Sequence, residues 1–283
     1  MNIGIVGLGL IGGSLALDLR SLGYQVLGVS RRESTCQIAI ERGIVNDASV
    51  NLSLLAAADV VFICTPLDLI IPTIEQLLPH LSPQAIVTDV GSVKSPIVTE
   101  AVKIWPNFIG GHPMAGTAES GIDAAQSNLF VGNPYVLTPV KNSTPEAVKI
   151  VGEIVRSLQA KFYLCRPEEH DKAVAWISHL PVMISASLIG ACLSENEIDV
   201  LELAQNLASS GFRDTSRVGG GNPELGVLMA TYNQEQLLRS LFSYRQTLDR
   251  LITYIQQGDW NSLADILQTT QQARPQFLSS KEL

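Results

Sequence analysis

Asn2-Ile-Gly-Ile-Val-Gly-Leu-Gly-Leu-Ile-Gly12 is the stretch that decides the fold. Its apolar start, Ile3–Val6, has the length of a buried strand. It leads into G-x-G-x-x-G and then into a helical pattern, the context in which that spacing binds a dinucleotide. Gly7 makes the turn, Gly9 lets the backbone approach a pyrophosphate, and Gly12 lets the helix lie close to the strand. Leu8, Leu10 and Ile11 complete the cofactor loop. The first helical amides and the positive end of the helix dipole then face the phosphates.

Outward from this turn, the first 165 residues alternate short apolar runs with amphipathic segments, which predicts a parallel α/β sheet. Strands are expected at Asn2–Val6, Gln25–Val29, Val60–Cys64, Ile86–Asp89, Asn107–Gly110, Tyr135–Thr138 and Lys161–Cys165. Helices are expected at Gly13–Leu22, Glu33–Arg42, Leu69–Leu78 and Pro145–Leu158, the last opened by Ser143 or Thr144 ahead of Pro145. After Arg166-Pro167 helical patterns take over, with one long helix over Glu168–Cys192 disturbed at Pro181. The fold class is α/β: an N-terminal Rossmann-like doubly wound sheet (residues 1–165), then an all-α C-terminal dimerisation domain (166–283). In that second part Leu237, Leu241, Tyr244, Leu248, Leu251 and Ile255 recur at heptad spacing. An internal helical hairpin would use such a seam. A seam shared with a second subunit, making a homodimer, fits a small helical domain better.

The composition narrows the partners. A chain of 283 residues with 46% hydrophobic and 16% charged side chains has ample core for two domains. The net charge of −8, with no basic block, argues against nucleic acid and anionic membrane surfaces. Cys36, Cys64, Cys165 and Cys192 are scattered without a C-x-x-C pair, so buried thiols in a reducing, cytoplasmic compartment are expected, and no metal site. A strand beginning at Asn2 leaves no room for a signal peptide, and Leu180–Leu193 is short for a bilayer and reads as a buried helix.

The end of the second strand reads the ribose. It carries Ser30-Arg31-Arg32 where NAD enzymes usually place a carboxylate. A hydroxyl and two guanidiniums suit the 2′-phosphate of NADP, whereas a carboxylate would repel it. The alternative is that the arginines are solvated and Glu33 does the reading. Further along, Thr65-Pro66, Asp89-Val-Gly-Ser92-Val-Lys94 and the loop Gly110-Gly-His112-Pro-Met-Ala-Gly116 follow strands in turn, so they converge where ligands bind in doubly wound sheets. Glycines around His112 suggest close approach to a ligand, and Pro113 fixes the turn that aims the imidazole.

With these segments in view, the chain resembles the prephenate/arogenate dehydrogenase family of tyrosine biosynthesis over nearly its whole length. Asp89–Lys94, Gly111–Thr117, Ile177-Ser-His-Leu-Pro181 and Gly211-Phe-Arg-Asp-Thr-Ser-Arg217 match the family's motifs in its order. The resemblance implies an oxidative decarboxylation in which the ring carbon bearing the 4-hydroxyl gives a hydride to the nicotinamide, CO₂ leaves and the ring aromatises. It implies that His112 is the catalytic histidine that helps take the hydroxyl proton, with Ser92 positioning it beside the nicotinamide. A simple N-cap is the other reading of Ser92. Arg217 would hold a substrate carboxylate. Arg213, on the same face if helical, would either join it or form a surface ion pair. His179 would face the substrate from the helical side, or else be a buried histidine satisfied by backbone carbonyls. Family tendency links NADP with arogenate, which favours arogenate over prephenate. His80 and His170 read as solvated surface, the latter among Glu168, Glu169, Asp171 and Lys172.

Gly219–Gly226 lacks a tryptophan that many relatives carry nearby, so this wall of the pocket is expected to differ. With no appended regulatory module in view, any inhibition by tyrosine is expected at the active site itself. Two other readings stand beside this one. Another NADP dehydrogenase of this architecture, acting on β-hydroxyacids or imines, is one; the β-hydroxyacid type would use Lys172, whose acidic neighbours suggest exposure. A non-catalytic NADP-binding regulator would leave His112, Ser92 and Arg217 without a task.

Overall fold

The computed structural model describes residues 1–117 and 119–278. They form two compact units, Met1–Asn233 and Gln234 onward. The first contains an eight-stranded sheet in the order β3-β2-β1-β4-β5-β6-β7-β8. Its strands are β1 (Asn2–Val6), β2 (Gln25–Val29), β3 (Asp47–Ser49), β4 (Val60–Ile63), β5 (Ile86–Asp89), β6 (Phe108–Pro113), β7 (Pro134–Thr138) and β8 (Lys161–Leu164). From β3 across to β6 all neighbours are parallel, β7 runs antiparallel to β6, and β8 is parallel to β7. The chain winds outward from β1 to β3 and then restarts on the other side of β1 at β4. The crevice for a dinucleotide therefore opens beyond the ends of β1 and β4.

Helices α1 (Leu10–Ser21), α2 (Glu33–Glu41), α3 (Leu67–Leu77), α4 (Ser95–Ile104) and α5 (Pro145–Ser157) make the crossovers. Two apolar clusters fill the sheet's faces, one including Ile3, Ile5, Leu15 and Phe62, the other Val61, Ile63, Ile70 and Phe108. Parallel strands covered on both sides must be apolar throughout, as β4 (Val-Val-Phe-Ile) is. Thr144 caps α5 by accepting from the Ala147 amide at 3.2 Å. The doubly wound, Rossmann-like class expected from the sequence is the one observed, with β3 as an added edge strand.

Beyond β8 come α6 (Pro167–Val174), a π-helical turn (Ala175–His179), α7 (Leu180–Leu193), α8 (Ile198–Leu207), α9 (Ser210–Ser216) and α10 (Pro223–Tyr232). The disturbance expected at Pro181 falls just before it. Proline cannot donate to the preceding turn, and the wider π turn absorbs the break. The 167–193 run is, by length and composition, the one helix among the described residues apolar enough to cross a membrane. Its first half, however, buries His170 and Asp171 in the site described below. The expected burial of Leu180–Leu193 is not met within a single chain, where only Leu180 and Ser185 are buried.

The second unit is α11 (Gln234–Gln257) and α12 (Trp260–Leu278), joined at Gly258 with φ +67°. Tyr244, Leu248 and Ile255 of the heptad remain exposed in the single chain. The thiols differ from expectation. All four are free, but Cys36 alone is buried, Cys64 and Cys165 are half-buried, and Cys192 is exposed.

Gly12 sets how closely α1 approaches β1, because a Cβ there would lie 2.0 Å from the Gly7 carbonyl oxygen. Gly12→Val is expected to displace α1 and lower stability by about 1–3 kcal/mol, read by urea unfolding, while weakening dinucleotide binding.

Candidate active site

The dinucleotide end of the site is built from the strand–turn–helix at residues 6–13. Gly7 adopts φ +100°, and its Cβ would strike the Cys64 carbonyl, whereas the space around Gly9 is open. No side chain caps α1 and its first turn has no acidic residue, so its amides are left for an anion. Leu8 is buried beneath the turn, while Leu10 and Ile11 are partly exposed on it. Thr65 and Pro66 follow β4, and the Thr65 hydroxyl is buried without a protein partner among the described residues. At the end of β2, Ser30 is half-buried and Arg31 and Arg32 are exposed, with neither guanidinium in an ion pair among the described residues. This cradle fits a dinucleotide.

His112 is on strand β6, not in a loop. β6 pairs with β5 only through Phe108 and Ile109, then continues alongside β7 with His112 opposite Val136. The glycines before it serve packing rather than ligand approach. A Cβ on Gly111 would meet the Asp89 carbonyl at 2.6 Å, and one on Gly110 would meet Val98 at 2.5 Å. Where the β5–β6 ladder stops, side chains replace it. The Asp89 carboxylate accepts from the Gly111 amide at 3.1 Å and from Gly91 at 2.8 Å. Buried Lys94 forms an ion pair with Asp89 and donates to the Gly111 carbonyl at 2.7 Å.

The expectation that His170 is solvated surface is overturned. His170 and Asp171 are both buried, and the ring spans from His112 to Asp171. His112 Nδ1 lies 2.8 Å from His170 Nε2, and His170 Nδ1 lies 2.8 Å from Asp171 Oδ1. Asp171 in turn accepts from the Lys94 amide at 2.8 Å and the Ser95 amide at 2.7 Å, capping α4 from a different part of the chain. Glu168, Glu169 and Lys172 misled because they occupy the outer face, whereas Asp171 points inward with His170. Pro167, His170, Asp171 and Val174 form the buried stripe at helical spacing, the signal that could have found the pair. His80 is partly exposed.

His179 is fully buried at the end of the π turn. The Asn233 side-chain amide donates to its Nδ1 at 3.1 Å and to the Asp171 carbonyl at 2.9 Å. A side-chain amide thus takes the place of the backbone carbonyls expected for a structural histidine. Its Nε2 is buried with no protein partner among the described residues. Ser92 lies half-buried in the turn between β5 and α4, and α4 begins only at Ser95, so Ser92 is not its N-cap. Arg217 is exposed and opens a short 3₁₀ turn, 217–220, held on α7 by the Gly219 amide donating to Ser185 Oγ at 2.8 Å. Arg213 is on α9 and pairs at the surface with Asp214 at 3.0 Å. Direct hydrogen bonds therefore join His112, His170, Asp171, Asn233 and His179, while both arginines and Ser92 stand outside that network.

Residues 15–164 match the family model "Prephenate dehydrogenase, nucleotide-binding domain", and residues 166–269 match "Prephenate dehydrogenase, dimerization domain". The chain belongs to the prephenate dehydrogenase family. It is an oxidoreductase. It is 31% identical to a Bacillus subtilis prephenate dehydrogenase over 95% of this chain and 74% of the relative. Among solved structures it is similar to Synechocystis arogenate dehydrogenase, with 59% identity, TM-score 0.89, and 98% and 100% of the two chains covered. It is also similar to an Aquifex aeolicus prephenate dehydrogenase in complex with hydroxyphenyl propionate and NAD+, with 27% identity, TM-score 0.91 and 98% of each chain covered.

In this member of the family, the electrostatics hold both central histidines neutral. Burial pushes His112 well below the usual histidine range, and the nearby His170, Lys94 and His179 act in the same direction. Burial likewise lowers His179 to about 4, against the pull of Asp171. Each imidazole therefore keeps its neutral form as pH falls through the ordinary histidine range and gains its proton only below it. Titration of ¹⁵N-histidine-labelled protein is expected to show His112 and His179 still neutral at pH 6.

Proposed function

We propose that the chain is an NADP-dependent arogenate dehydrogenase, converting arogenate to tyrosine by oxidative decarboxylation. The observation that carries the reading is His112: a buried, neutral imidazole beyond the β5–β6 ladder, with Nδ1 occupied and Nε2 without a protein partner among the described residues. Residues 1–165 are assigned to the cofactor and 166–283 to substrate and dimerisation. The Synechocystis relative's name, arogenate dehydrogenase, supports the substrate. Ser30, Arg31 and Arg32, with no carboxylate closing the end of β2, support NADP. The prephenate dehydrogenases among the relatives keep prephenate as the second reading.

Bound nicotinamide supplies the hydride acceptor. In the proposed reaction His112 Nε2 takes the 4-hydroxyl proton as the C–O bond gains double-bond character and the ring carbon gives up its hydride. The bond to the departing CO₂ then delivers its electron pair to the ring, and the same proton can return to the phenolic oxygen. Ser92 orients the hydroxyl. The Arg217 guanidinium suits a substrate carboxylate, and the buried Nε2–H of His179 supplies a second donor. Arg213, engaged with Asp214, is a flanking contact. The exposed apolar faces of α7, α8, α11 and α12, together with the dimerisation-domain match, support a homodimer. Free, scattered cysteines agree with a cytoplasmic location.

Steady-state kinetics with both substrates and both cofactors tests the assignment. The highest kcat/KM is expected for arogenate with NADP. Combined Arg31→Ala and Arg32→Ala should raise the NADP KM by about 10–100-fold and leave NAD nearly unaffected. A wild-type preference for NAD overturns the cofactor reading, and a preference for prephenate installs the second one.

Chemistry and binding separate in two further variants. His112→Ala is expected to lower kcat by about 10²–10⁴-fold. Arg217→Ala should chiefly raise the substrate KM, by an amount corresponding to about 1.5–3 kcal/mol.

A further inference from the structure

The Asp171 carboxylate is held from three sides, by the Lys94 and Ser95 amides and by His170 Nδ1, all within 2.8 Å. A carboxylate only accepts, so His170 must donate from Nδ1. In a neutral ring its Nε2 then accepts, and the hydrogen on the 2.8 Å contact to His112 must come from His112 Nδ1. The ring centroids are 5.0 Å apart, a separation that suits an in-plane N–H···N contact, and the two rings are rotated by 71° relative to each other.

We propose that His170 and Asp171 are positioning residues that fix His112 as its Nδ1–H tautomer, leaving the Nε2 lone pair as the proton acceptor of the site. The assignment of that acceptor to the substrate hydroxyl rests on the dehydrogenase reading above. The tautomer does not. The relay follows the logic of a base oriented by a carboxylate, with a second imidazole inserted between them. It also gives the proton taken by His112 a supported cation, since the imidazolium would donate Nδ1–H into a chain ending on a carboxylate. The charged and titratable groups around His112 are Lys94, His170 and His179, with Asp89 and Asp171 beyond them. Were His170 cationic, it would donate to both neighbours and force the opposite tautomer on His112, so the two states are distinguishable.

Long-range ¹H–¹⁵N correlation spectra of ¹⁵N-histidine-labelled, ligand-free enzyme at neutral pH read the tautomer directly, with His112 assigned by its absence in His112→Gln. The expected pattern has Nδ1 protonated and Nε2 unprotonated. His170→Phe should shift His112 towards the Nε2–H form that free imidazole favours and lower kcat roughly 10²-fold, with KM for substrate and dinucleotide affinity within about threefold. His170→Gln, whose carbonyl can accept from His112, should recover at least about tenfold of that loss. An Nε2–H tautomer in the wild type overturns the proposal. So does a His170→Phe enzyme with unchanged tautomer and rate. Should His170→Phe fail to fold, the wild-type spectrum and His170→Gln decide it. If the enzyme turns over neither substrate while the spectrum shows Nδ1–H, the functional reading fails and the tautomer assignment stands.

Discussion

The carboxylate of Asp171 at the N-terminus of α4 is the contact on which the rest of the site depends. Two α4 amides need an acceptor, and no side chain of the local sequence supplies one. Asp171 fills that need from a segment 76 residues away, joining α6 to the crossover between β5 and β6. Because the carboxylate is pinned, the neighbouring His170 has a fixed orientation, and through it so does His112. Asn233 fastens the same residue by its backbone carbonyl and passes the constraint to His179. Removing the carboxylate would therefore leave the Lys94 and Ser95 amides without their acceptor and release His170 and, through it, His112.

A buried ion pair lies below this arrangement. Lys94 and Asp89 are both fully buried, and such a pair is stable only if its remaining donors and acceptors are satisfied. Asp89 accepts from the Gly91 and Gly111 amides, and Lys94 also donates to the Gly111 carbonyl. The pair thus replaces the strand ladder where β6 leaves β5. It also places a cation close to His112, one of the influences that keep that imidazole neutral. Burial alone opposes charge on Lys94, and the Asp89 carboxylate opposes that tendency. Structure and chemistry share these atoms: the bonds that take over where the β5–β6 ladder ends contribute to the field at the histidine.

Much of the fold is legible in the sequence because parallel strands and their crossover helices carry strong periodic patterns. The boundaries of β1, β2 and β5 agree with the apolar runs, and α1 opens at the fingerprint glycines. Asp47–Ser49 gives no such signal, being a three-residue edge strand stabilised by backbone pairing to β2. Gly110–Pro113 reads as a loop because glycine and proline are poor strand formers, yet close packing against Asp89 and Thr138 requires the glycines there. At the site, the motif residues themselves can be named from sequence. Among their supporting groups, the helical spacing of Pro167, His170, Asp171 and Val174 marks a buried stripe, but what Asp171 and Asn233 hold is not legible, because both act across long chain separations and no local pattern records which helix end lacks a cap.

The two central histidines illustrate what only coordinates supply. Each has one nitrogen committed to the protein, and the partner decides what the other nitrogen can do. Asn233 donates to His179 Nδ1, so the buried Nε2 of His179, unpartnered among the described residues, carries a hydrogen. His112 instead donates from Nδ1 in the relay to Asp171, so its Nε2 carries a lone pair. Burial holds both rings neutral, yet one presents a donor and the other an acceptor. In the proposed reaction the acceptor edge takes the proton of a hydroxyl and the donor edge faces an anionic group. Identical side chains supply them here because Asn233 can only donate through its amide nitrogen and Asp171 can only accept.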